Sequence, residues 1–377
     1  MCGRQLAVVR YTDRPAKWIT MTLGRGGFRQ LHAVTRSALP GGDEIGVDGG
    51  RLAVVGASVG GNTAAVVSLM AKNKQGPAIR FQGLMWPAPV ASCYPYRTGG
   101  GAEGRGGIGR GVVEKLISSV AGIMRQSADL AILPRYRSLQ THEVSEKSAS
   151  DFVTIADRES EALLAEGLAR LLPEATIVGE EAAHADPALL DRLGDALCWI
   201  IDPLDGTNNF AAGKPPFGIL VALAERGETI AGWIYDPLTG RCCHARRGGG
   251  AFVNGERVNS VGSGQARPVV AIALELVDPR RIATTQKLLE HHFSTVANPR
   301  CAAEQYARIA LGQNDIAFFN RTFAWDHAAG VLFLNEAGGK AARYDGSPYR
   351  VNDDRVGLLA AATPPMWDRM IELLRAN

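Results

Sequence analysis

Several features that would assign the chain to a particular class of protein are absent from its sequence. The 377 residues contain no run of about eighteen apolar residues, so we expect no membrane-spanning helix. The formal net charge is only +3, which gives no reason to expect nucleic acid or an acidic membrane as a partner. The apolar run near the N-terminus is too short and too interrupted for a secretory signal.

Cysteine is scarce, and its spacing argues against two further kinds of site. The 6 cysteines form no CxxC pair and no Cys/His spacing of the zinc-binding type. We interpret them as reduced thiols without a functional role. Reduced thiols are typical of proteins in a reducing compartment, so a cytoplasmic protein is expected.

Glycine, by contrast, makes up about half of one stretch, RTGGGAEGRGGIGRG at residues 97–111. Such a stretch forms neither a stable helix nor a packed strand, and we interpret it as a flexible linker. It separates an N-terminal fragment, residues 1–96, from a larger domain, residues 112–377.

Apolar periodicity in the larger domain predicts two early helices, then short strands and further helices in mixed order. This order favours a layered α/β or α+β domain. The predicted helices are 112–131, 157–172, 303–311, 325–337 and 365–375, and the predicted strands are 175–178, 198–201, 218–224, 230–235 and 251–253.

Acidic residues stand where predicted strands end. Glu180 comes directly after one strand, and Asp202 and Asp205 come after the next. If these strands are neighbours, their ends bring the three carboxylates together. Asp326, at the start of a later predicted helix, is a fourth candidate.

Carboxylates that converge in this way repel one another and raise their pKa values, unless divalent cations bind between them. Carboxylate and carbonyl oxygens suit Mg²⁺, and Pro203 would turn the Leu204 carbonyl toward the same place. Gly206 and Thr207 would then open a helix whose free N–H groups favour a phosphate. The segment DPLDG taken alone would also fit an ordinary surface turn.

Three sequence blocks, with two lesser ones, make the chain resemble the inositol monophosphatase family of metal-dependent phosphatases over roughly residues 108–377. The main blocks are VGEEA (178–182), WIIDPLDGTNNF (199–210) and WDHAAGVLFLNEAGG (325–339), and the lesser ones are DFVTIADRESE (151–161) and GAFVNGERV (250–258).

The resemblance implies an α/β/α/β/α sandwich, a homodimer, and hydrolysis of phosphomonoesters with two to three Mg²⁺ ions. Carried over by position, Glu180, Asp202 and the Leu204 carbonyl would hold the first metal. Asp202 would bridge to a second metal, which Asp205 and Asp326 would also bind. Glu180 would support a third, looser metal through water.

The resemblance also implies roles for residues beside the metals. Thr207, paired with Asp157, would orient the attacking water. The backbone N–H groups of Gly206 and Thr207 would hold phosphate oxygens, and Asp205 and Asp326 would also face the substrate phosphate. Lys147 matches a lysine of a mobile metal-binding loop, although its spacing to Asp157 is one residue shorter than is common.

The substrate is left open by the sequence. Members that hydrolyse inositol phosphates carry a glutamate about seven residues before the aspartate of the WD pair, whereas Phe319 stands there in this chain. Arg321 is close by and allows a substrate with an extra anionic group, although it would equally fit a solvated surface. Fructose-1,6-bisphosphate, histidinol phosphate and 3′-phosphoadenosine 5′-phosphate are alternatives to a sugar or polyol monophosphate. His327, beside Asp326, is interpreted as a packed neighbour of the site.

Residues 43–89 resemble a different family, the hormone-sensitive-lipase-like esterases of the α/β-hydrolase fold. A predicted strand leads into Gly56-Ala57-Ser58-Val59-Gly60, the G-x-S-x-G pattern of a nucleophile elbow. Ser58 would be the nucleophile of a serine carboxylesterase. The resemblance stops near Pro89 without the acid and histidine that such a serine needs, so we interpret the fragment as a truncated relic.

The sequence therefore supports two other functional hypotheses less well than it supports the phosphatase. The esterase lacks its downstream partners. A non-catalytic regulatory protein with the same fold would be expected to have lost a metal ligand, and all of them are present. Small phosphorylated metabolites are the expected partners.

Overall fold

The computed structural model describes four N-terminal strands and most of the chain beyond residue 109. Those strands are described by their backbone alone. The described residues are 4–10, 18–23, 52–57, 79–85, 110–140, 143–148, 151–272, 287 and 291–375. The chain divides into two compact units, Met1–Gly104 and Arg105–Asn377.

The first unit contains a sheet of four described strands in the order β2-β1-β3-β4. The strand β3 pairs in parallel with β4 and antiparallel with β1. Two strands in the first 42 residues were not predicted. Ser58 lies outside the described residues. The bounds are β1 Arg4–Arg10, β2 Trp18–Leu23, β3 Leu52–Ala57 and β4 Ile79–Met85.

The second unit contains two large sheets and a hairpin among its described residues. The larger sheet has the order β13-β12-β11-β10-β9-β8-β7, the smaller β15-β14-β16-β18-β17, and β5 pairs with β6. The bounds are β5 Val144–Ser148, β6 Asp151–Thr154, β7 Thr176–Gly179, β8 Cys198–Asp205, β9 Gly218–Glu225, β10 Glu228–Tyr235, β11 Cys242–Arg246, β12 Gly250–Val253, β13 Glu256–Val258, β14 Val269–Ile272, β15 Ser294–Ala297, β16 Ile316–Phe319, β17 Lys340–Ala342 and β18 Leu358–Ala361.

Helices lie on both sides of each sheet. Those described are α1 Arg110–Ser127, α2 Ile155–Leu171, α3 Glu180–Ala185, α4 Thr207–Ala211, α5 Ala302–Ala310, α6 Ala324–Glu336 and α7 Pro364–Arg375. A short π-helix, Ala128–Ile132, and 3₁₀ turns at Leu133–Arg135 and Pro187–Gly194 are further helical segments that the structure describes.

Alternating side chains along the strands build the layers, because successive residues of a strand point to opposite faces. On β8, Trp199 and Ile201 are buried against α1 and α2. Ile200 points the other way, into a core shared with α5, α6 and the smaller sheet. On β18, Leu359 is buried with residues of α7. The expected α/β/α/β/α sandwich is confirmed.

One helical segment described by the structure, Val113–Arg135, has the length and composition of a membrane span. Core helices meet the same criterion. Val113, Val120 and Met124 of this segment are buried in the layer between α1, α2 and the larger sheet.

The end of β8 differs from its prediction, at the residues that carry two of the acidic side chains. The strand predicted to end at Ile201 continues through Asp202 to Asp205. Its ladder to β9 is interrupted between these two aspartates and resumes where Asp205 pairs with Gly218. The carboxylates of Asp202 and Asp205 therefore lie on either side of an irregularity in the strand, since the pairing is interrupted at Pro203 and resumes at Asp205.

Candidate active site

Two parallel strands bring the first acidic residues together. The strands β7 and β8 are neighbours, which was the condition for this clustering, and their register places Gly179 opposite Ile201. Glu180 and Asp202 follow directly in the chain, so they lie at the same level along the two strands. Both line a cavity of about 750 Å³ at this edge of the sheet.

Three aspartates form the centre of this cavity. One carboxylate oxygen each from Asp202, Asp205 and Asp326 lies within 4.8 Å of the other two. Asp202 is buried, and its Oδ1 accepts a hydrogen bond from the Leu204 N–H at 3.0 Å. Asp205 Oδ2 accepts from the Ala303 N–H, the second residue of α5, at 2.6 Å.

The charges of this cluster oppose one another. Burial, followed by the repulsion of Glu180, raises the pKa of Asp202 well above its usual range. Burial and the charge of Asp205 do the same for Asp326, and burial raises the pKa of Asp205 to about 6. Glu180 is thus electrostatically part of the cluster, although the close oxygen triplet is formed by the aspartates. This set of hard oxygen donors fits a small divalent cation.

The turn after the cluster places Thr207 against a buried carboxylate. Gly206 has φ +83°, and a Cβ there would lie 2.9 Å from the Pro216 carbonyl oxygen, so the position requires glycine. The helix α4 starts at Thr207, as predicted. Thr207 Oγ1 lies 3.0 Å from Asp157 Oδ1 and 2.8 Å from the Leu204 carbonyl oxygen.

Hydrogen bonds to both carboxylate oxygens fix the orientation of Asp157. Its Oδ2 accepts hydrogen bonds from the Thr154 N–H at 2.7 Å and the Thr154 hydroxyl at 2.6 Å. This is a capping box at the start of α2, which leaves Oδ1 for Thr207. Burial raises the pKa of Asp157 to about 7. The capping role was not predicted, although the spacing of Thr154 and Asp157 signals it.

The comparisons with known proteins agree with this geometry. Residues 114–376 match the model of the inositol monophosphatase family. The chain belongs to the inositol monophosphatase family. A second match, to a model of the alpha/beta hydrolase fold, covers residues 19–159, a longer stretch than the motif at Ser58 indicated.

The match to this chain covers most of the length of each of its relatives. An inositol-1-monophosphatase of Rhizobium meliloti is 34% identical over 238 residues, 61% of this chain and 87% of that protein. The Nus factor SuhB of Escherichia coli is 31% identical over 253 residues, 65% of this chain and 89% of that protein. The solved structure of the extragenic suppressor protein suhB from Bartonella henselae is 29% identical, with a TM-score of 0.55 over 68% of this chain and 98% of that one.

Aromatic and basic side chains line the cavity beside the acidic cluster. Phe319 and Arg321 both line the cavity. The Phe319 ring stacks on Tyr306, with centroids 5.1 Å apart. His327 is buried beside them: its Nε2–H donates to the Arg321 carbonyl at 3.0 Å, and Nδ1 faces the Tyr306 hydroxyl at 2.9 Å. Burial lowers the pKa of His327 to about 3, which agrees with its interpretation as a packed neighbour.

Sequence reasoning missed two contributors to the cavity region. Glu161 accepts hydrogen bonds from the N–H groups of Glu181 and Ala182 at 2.8 and 2.9 Å, and so holds the start of α3 beside Glu180. Arg300 lines the cavity from the segment before α5. Glu161 ends the block DFVTIADRESE, but no role was predicted for it, and no pattern in the sequence marks Arg300. Lys147 belongs to β5 by its backbone, and its side chain lies outside the described residues.

Proposed function

We propose that the protein is a Mg²⁺-dependent phosphomonoesterase of small sugar, polyol or related phosphates. The observation that carries the proposal is the oxygen triplet of Asp202, Asp205 and Asp326 beside the Thr207–Asp157 pair. Family membership supports the same chemistry. The relative from Rhizobium meliloti is named for hydrolysis of an inositol phosphate.

The ligands proposed for two to three Mg²⁺ ions are Glu180, Asp202, the Leu204 carbonyl, Asp205 and Asp326. The Leu204 oxygen accepts one hydrogen bond from Thr207, so a second lone pair is available to a cation. The Pro203 carbonyl is turned away and accepts from Ser160 Oγ at 2.9 Å. Bound cations supply Lewis acidity, which acidifies a water and neutralises charge on the phosphate and the leaving oxygen.

Thr207 and Asp157 are proposed to position the attacking water. The Thr207 hydroxyl has one hydrogen and two acceptors within reach, the Asp157 and Leu204 oxygens. Its oxygen therefore has a lone pair free to accept a proton from water as its own hydrogen passes to Asp157. The carboxylate of Asp157, 3.0 Å from the Thr207 hydroxyl oxygen, is placed to be the final proton acceptor.

The phosphate is proposed to rest against the start of α4. Gly206, in the left-handed conformation, opens this short helix with the Thr207 N–H in its first turn. Such N–H groups bind anionic oxygens when cations hold the rest of the phosphate. Asp205 and Asp326 would contact the substrate through the cations they hold.

Release of inorganic phosphate by the full-length chain with Mg²⁺ tests the proposal. The panel contains myo-inositol 1-phosphate, fructose-1,6-bisphosphate, histidinol phosphate and 3′-phosphoadenosine 5′-phosphate. Asp202→Asn is expected to abolish release, whereas Asp354→Asn, at an exposed aspartate, is the matched control. Activity that survives both EDTA and Asp202→Asn would refute the metal-dependent mechanism.

The substrate panel also separates the alternatives within this chemistry. Preference for a bisphosphate or for histidinol phosphate would identify a specialised member of the family. The homodimer and the cytoplasmic location implied for such a protein stay predictions, and light scattering on the purified chain measures the first of them.

A further inference from the structure

A buried hydroxyl reaches the acidic strand from the neighbouring helix. Ser160, in the second turn of α2, is fully buried, and its Oγ lies 2.9 Å from the carbonyl oxygen of Pro203. A carbonyl has no hydrogen to give, so the serine hydroxyl is the donor. Pro203 stands between Asp202 and Leu204, both of which are proposed to hold cations. The hydrogen bond therefore acts on the strand between two proposed ligands.

The ladders of the larger sheet do not hold the chain at this place. Among the residues that the structure describes, the pairing of β8 with β7 ends at Ile201, and its pairing with β9 includes neither Pro203 nor Leu204. Proline also has no N–H to offer a neighbouring strand. Because a buried carbonyl needs a hydrogen-bond donor, the Ser160 hydroxyl takes the place of a strand neighbour.

This hydrogen bond fixes the peptide unit that follows Pro203. The C=O of Pro203 and the N–H of Leu204 belong to one planar group and point in opposite directions. Ser160 binds the C=O end, and the N–H end donates to Asp202 Oδ1 at 3.0 Å. The peptide is thus held between a helix hydroxyl and a carboxylate of the acidic cluster. A rotation of its plane would displace the N–H group that orients Asp202.

A second serine continues this series of hydrogen bonds. Ser127, the last residue of α1, is also fully buried, and its Oγ lies 2.9 Å from Ser160 Oγ and 3.2 Å from the Ser160 carbonyl oxygen. Since the single hydrogen of the Ser160 hydroxyl points to Pro203, the Ser127 hydroxyl is the donor to Ser160. Hydrogen bonds in such a series polarise and strengthen one another. The series leads from Ser127 through Ser160 and the peptide to Asp202.

Ser160 belongs to a face of α2 that contacts two further parts of the site. Asp157, Ser160 and Glu161 have the i, i+3, i+4 spacing of one helix face, and all three are buried. Asp157 contacts Thr207, and Glu161 holds the start of α3 beside Glu180. One helix therefore sets the relative positions of three segments of the site, and Ser160 holds the segment between the two aspartates of β8.

We propose that Ser160 is a positioning residue for cation binding, which orients the Asp202 carboxylate through the Pro203–Leu204 peptide. The inference rests on the proposed function, because it concerns the affinity of the acidic cluster for Mg²⁺. Ser160 does not line the cavity, so it acts through the peptide rather than on a cation or a substrate. Ser127 supports it from α1.

The test measures the peptide and the cation separately, in the full-length chain. Ser160→Ala removes the hydroxyl, and Ser160→Cys keeps a side chain of similar size whose thiol is only a weak donor. Ser160→Thr keeps the hydroxyl. Ser260→Ala is the matched control, because Ser260 is also buried and its hydroxyl also donates to a backbone carbonyl, that of Ile309 at 3.4 Å. Ser260 does not line the cavity.

Calorimetric titration with Mg²⁺ should give a Kd about tenfold higher for Ser160→Ala and Ser160→Cys than for the wild-type chain. Ser160→Thr should bind Mg²⁺ more tightly than these two variants, and Ser260→Ala should keep the wild-type Kd. In EDTA, the Leu204 amide hydrogen should exchange with solvent faster in Ser160→Ala than in the wild-type chain or in Ser260→Ala. Nuclear magnetic resonance of protein labelled at leucine measures this exchange.

A wild-type Kd for Mg²⁺ in folded Ser160→Ala or Ser160→Cys would overturn the positioning role. An equal loss of affinity in Ser260→Ala would overturn it as well, since the effect would then follow from stability alone. If the wild-type chain neither binds Mg²⁺ nor releases phosphate, the proposed function fails. The Leu204 exchange rate then still decides whether Ser160 holds the peptide, because an unchanged rate in Ser160→Ala would overturn that contact and a faster rate would support it.

Discussion

Thr207 Oγ1 lies 3.0 Å from Asp157 Oδ1, although 50 positions in the chain separate the two residues. The contact joins the turn after the acidic strand to the start of α2. Since the other oxygen of Asp157 is engaged by Thr154, the carboxylate cannot rotate away without breaking the capping box. The position of the proposed proton acceptor is therefore fixed by the fold.

Removing the Thr207 hydroxyl is expected to slow the reaction more than it weakens substrate binding. Thr207→Val should lower kcat about a hundredfold with little change in KM, because the hydroxyl acts on the attacking water. Thr207→Ser keeps the hydroxyl and should retain most of the rate. Steady-state phosphate release measures both, and a Thr207→Val effect confined to KM would contradict the role.

The metal-free protein should lose stability as the pH rises from about 4 to about 7. The pKa values of Asp157 and Asp205 are raised to about 7 and about 6. The folded chain therefore keeps protons that the unfolded chain, with carboxyl pKa values near 4, has released. Stability falls with pH wherever the folded state binds more protons.

Saturating Mg²⁺ should abolish this loss of stability with pH, because the cation binds the ionised carboxylates of the folded state only. We expect Tm in EDTA to drop by about 3 °C or more between pH 5 and pH 7.5, and the drop to vanish with Mg²⁺. Thermal unfolding in KCl of equal ionic strength is the control. A pH profile that is the same with EDTA, KCl and Mg²⁺ would contradict cation binding at the cluster.

Two helix glycines should respond in opposite ways to alanine. In α6, a Cβ on Gly330 would lie 2.0 Å from a carbon of the Tyr306 ring, whereas a Cβ on Gly122 in α1 meets nothing within 4 Å. Gly330→Ala should destabilise the fold by about 1–3 kcal/mol. Gly122→Ala should stabilise it by up to about 1 kcal/mol, since alanine favours the helix. Urea unfolding of both variants measures the contrast, and equal effects would contradict the tight Tyr306 contact.

Glu161 is expected to support the site without touching substrate. Glu161→Ala leaves the N–H groups of Glu181 and Ala182 without their carboxylate, which should cost about 1–3 kcal/mol of stability. It should also raise the Mg²⁺ concentration needed for half-maximal activity, because Glu180 shares that turn. Glu166→Ala, on the exposed face of the same helix, should change stability by less than about 0.5 kcal/mol. Unfolding curves and Mg²⁺ titrations check both expectations.

The acidic centre was predictable because its signals are local. The apolar runs before Glu180 and Asp202 mark two strands, and the parallel pairing of β7 with β8 brings these two residues to the same level. Asp205 was placed correctly beside them although the strand continues further than predicted. Its position depends on the resumed pairing with Gly218, which no pattern in the segment reveals.

The smaller sheet was largely missed, for a different reason. The strands β17 and β18 have 3 and 4 residues and are rich in alanine, which has low strand propensity. Their form is decided by pairing with each other and with β16, a contact between distant parts of the chain. The role of Glu161 was missed similarly, since the N–H groups that it binds are brought near only by folding.

The register of β7 against β8 has a consequence for how this chain tolerates changes in length. Gly179 stays opposite Ile201 whatever lies between them, so the exposed residues of the connection can increase or decrease in number without changing this register, provided that Leu193 keeps its place in the core. A single residue added inside either strand would instead send Glu180 or Asp202 to the opposite face of the sheet. Natural insertions and deletions should therefore accumulate between the two strands and be absent within them.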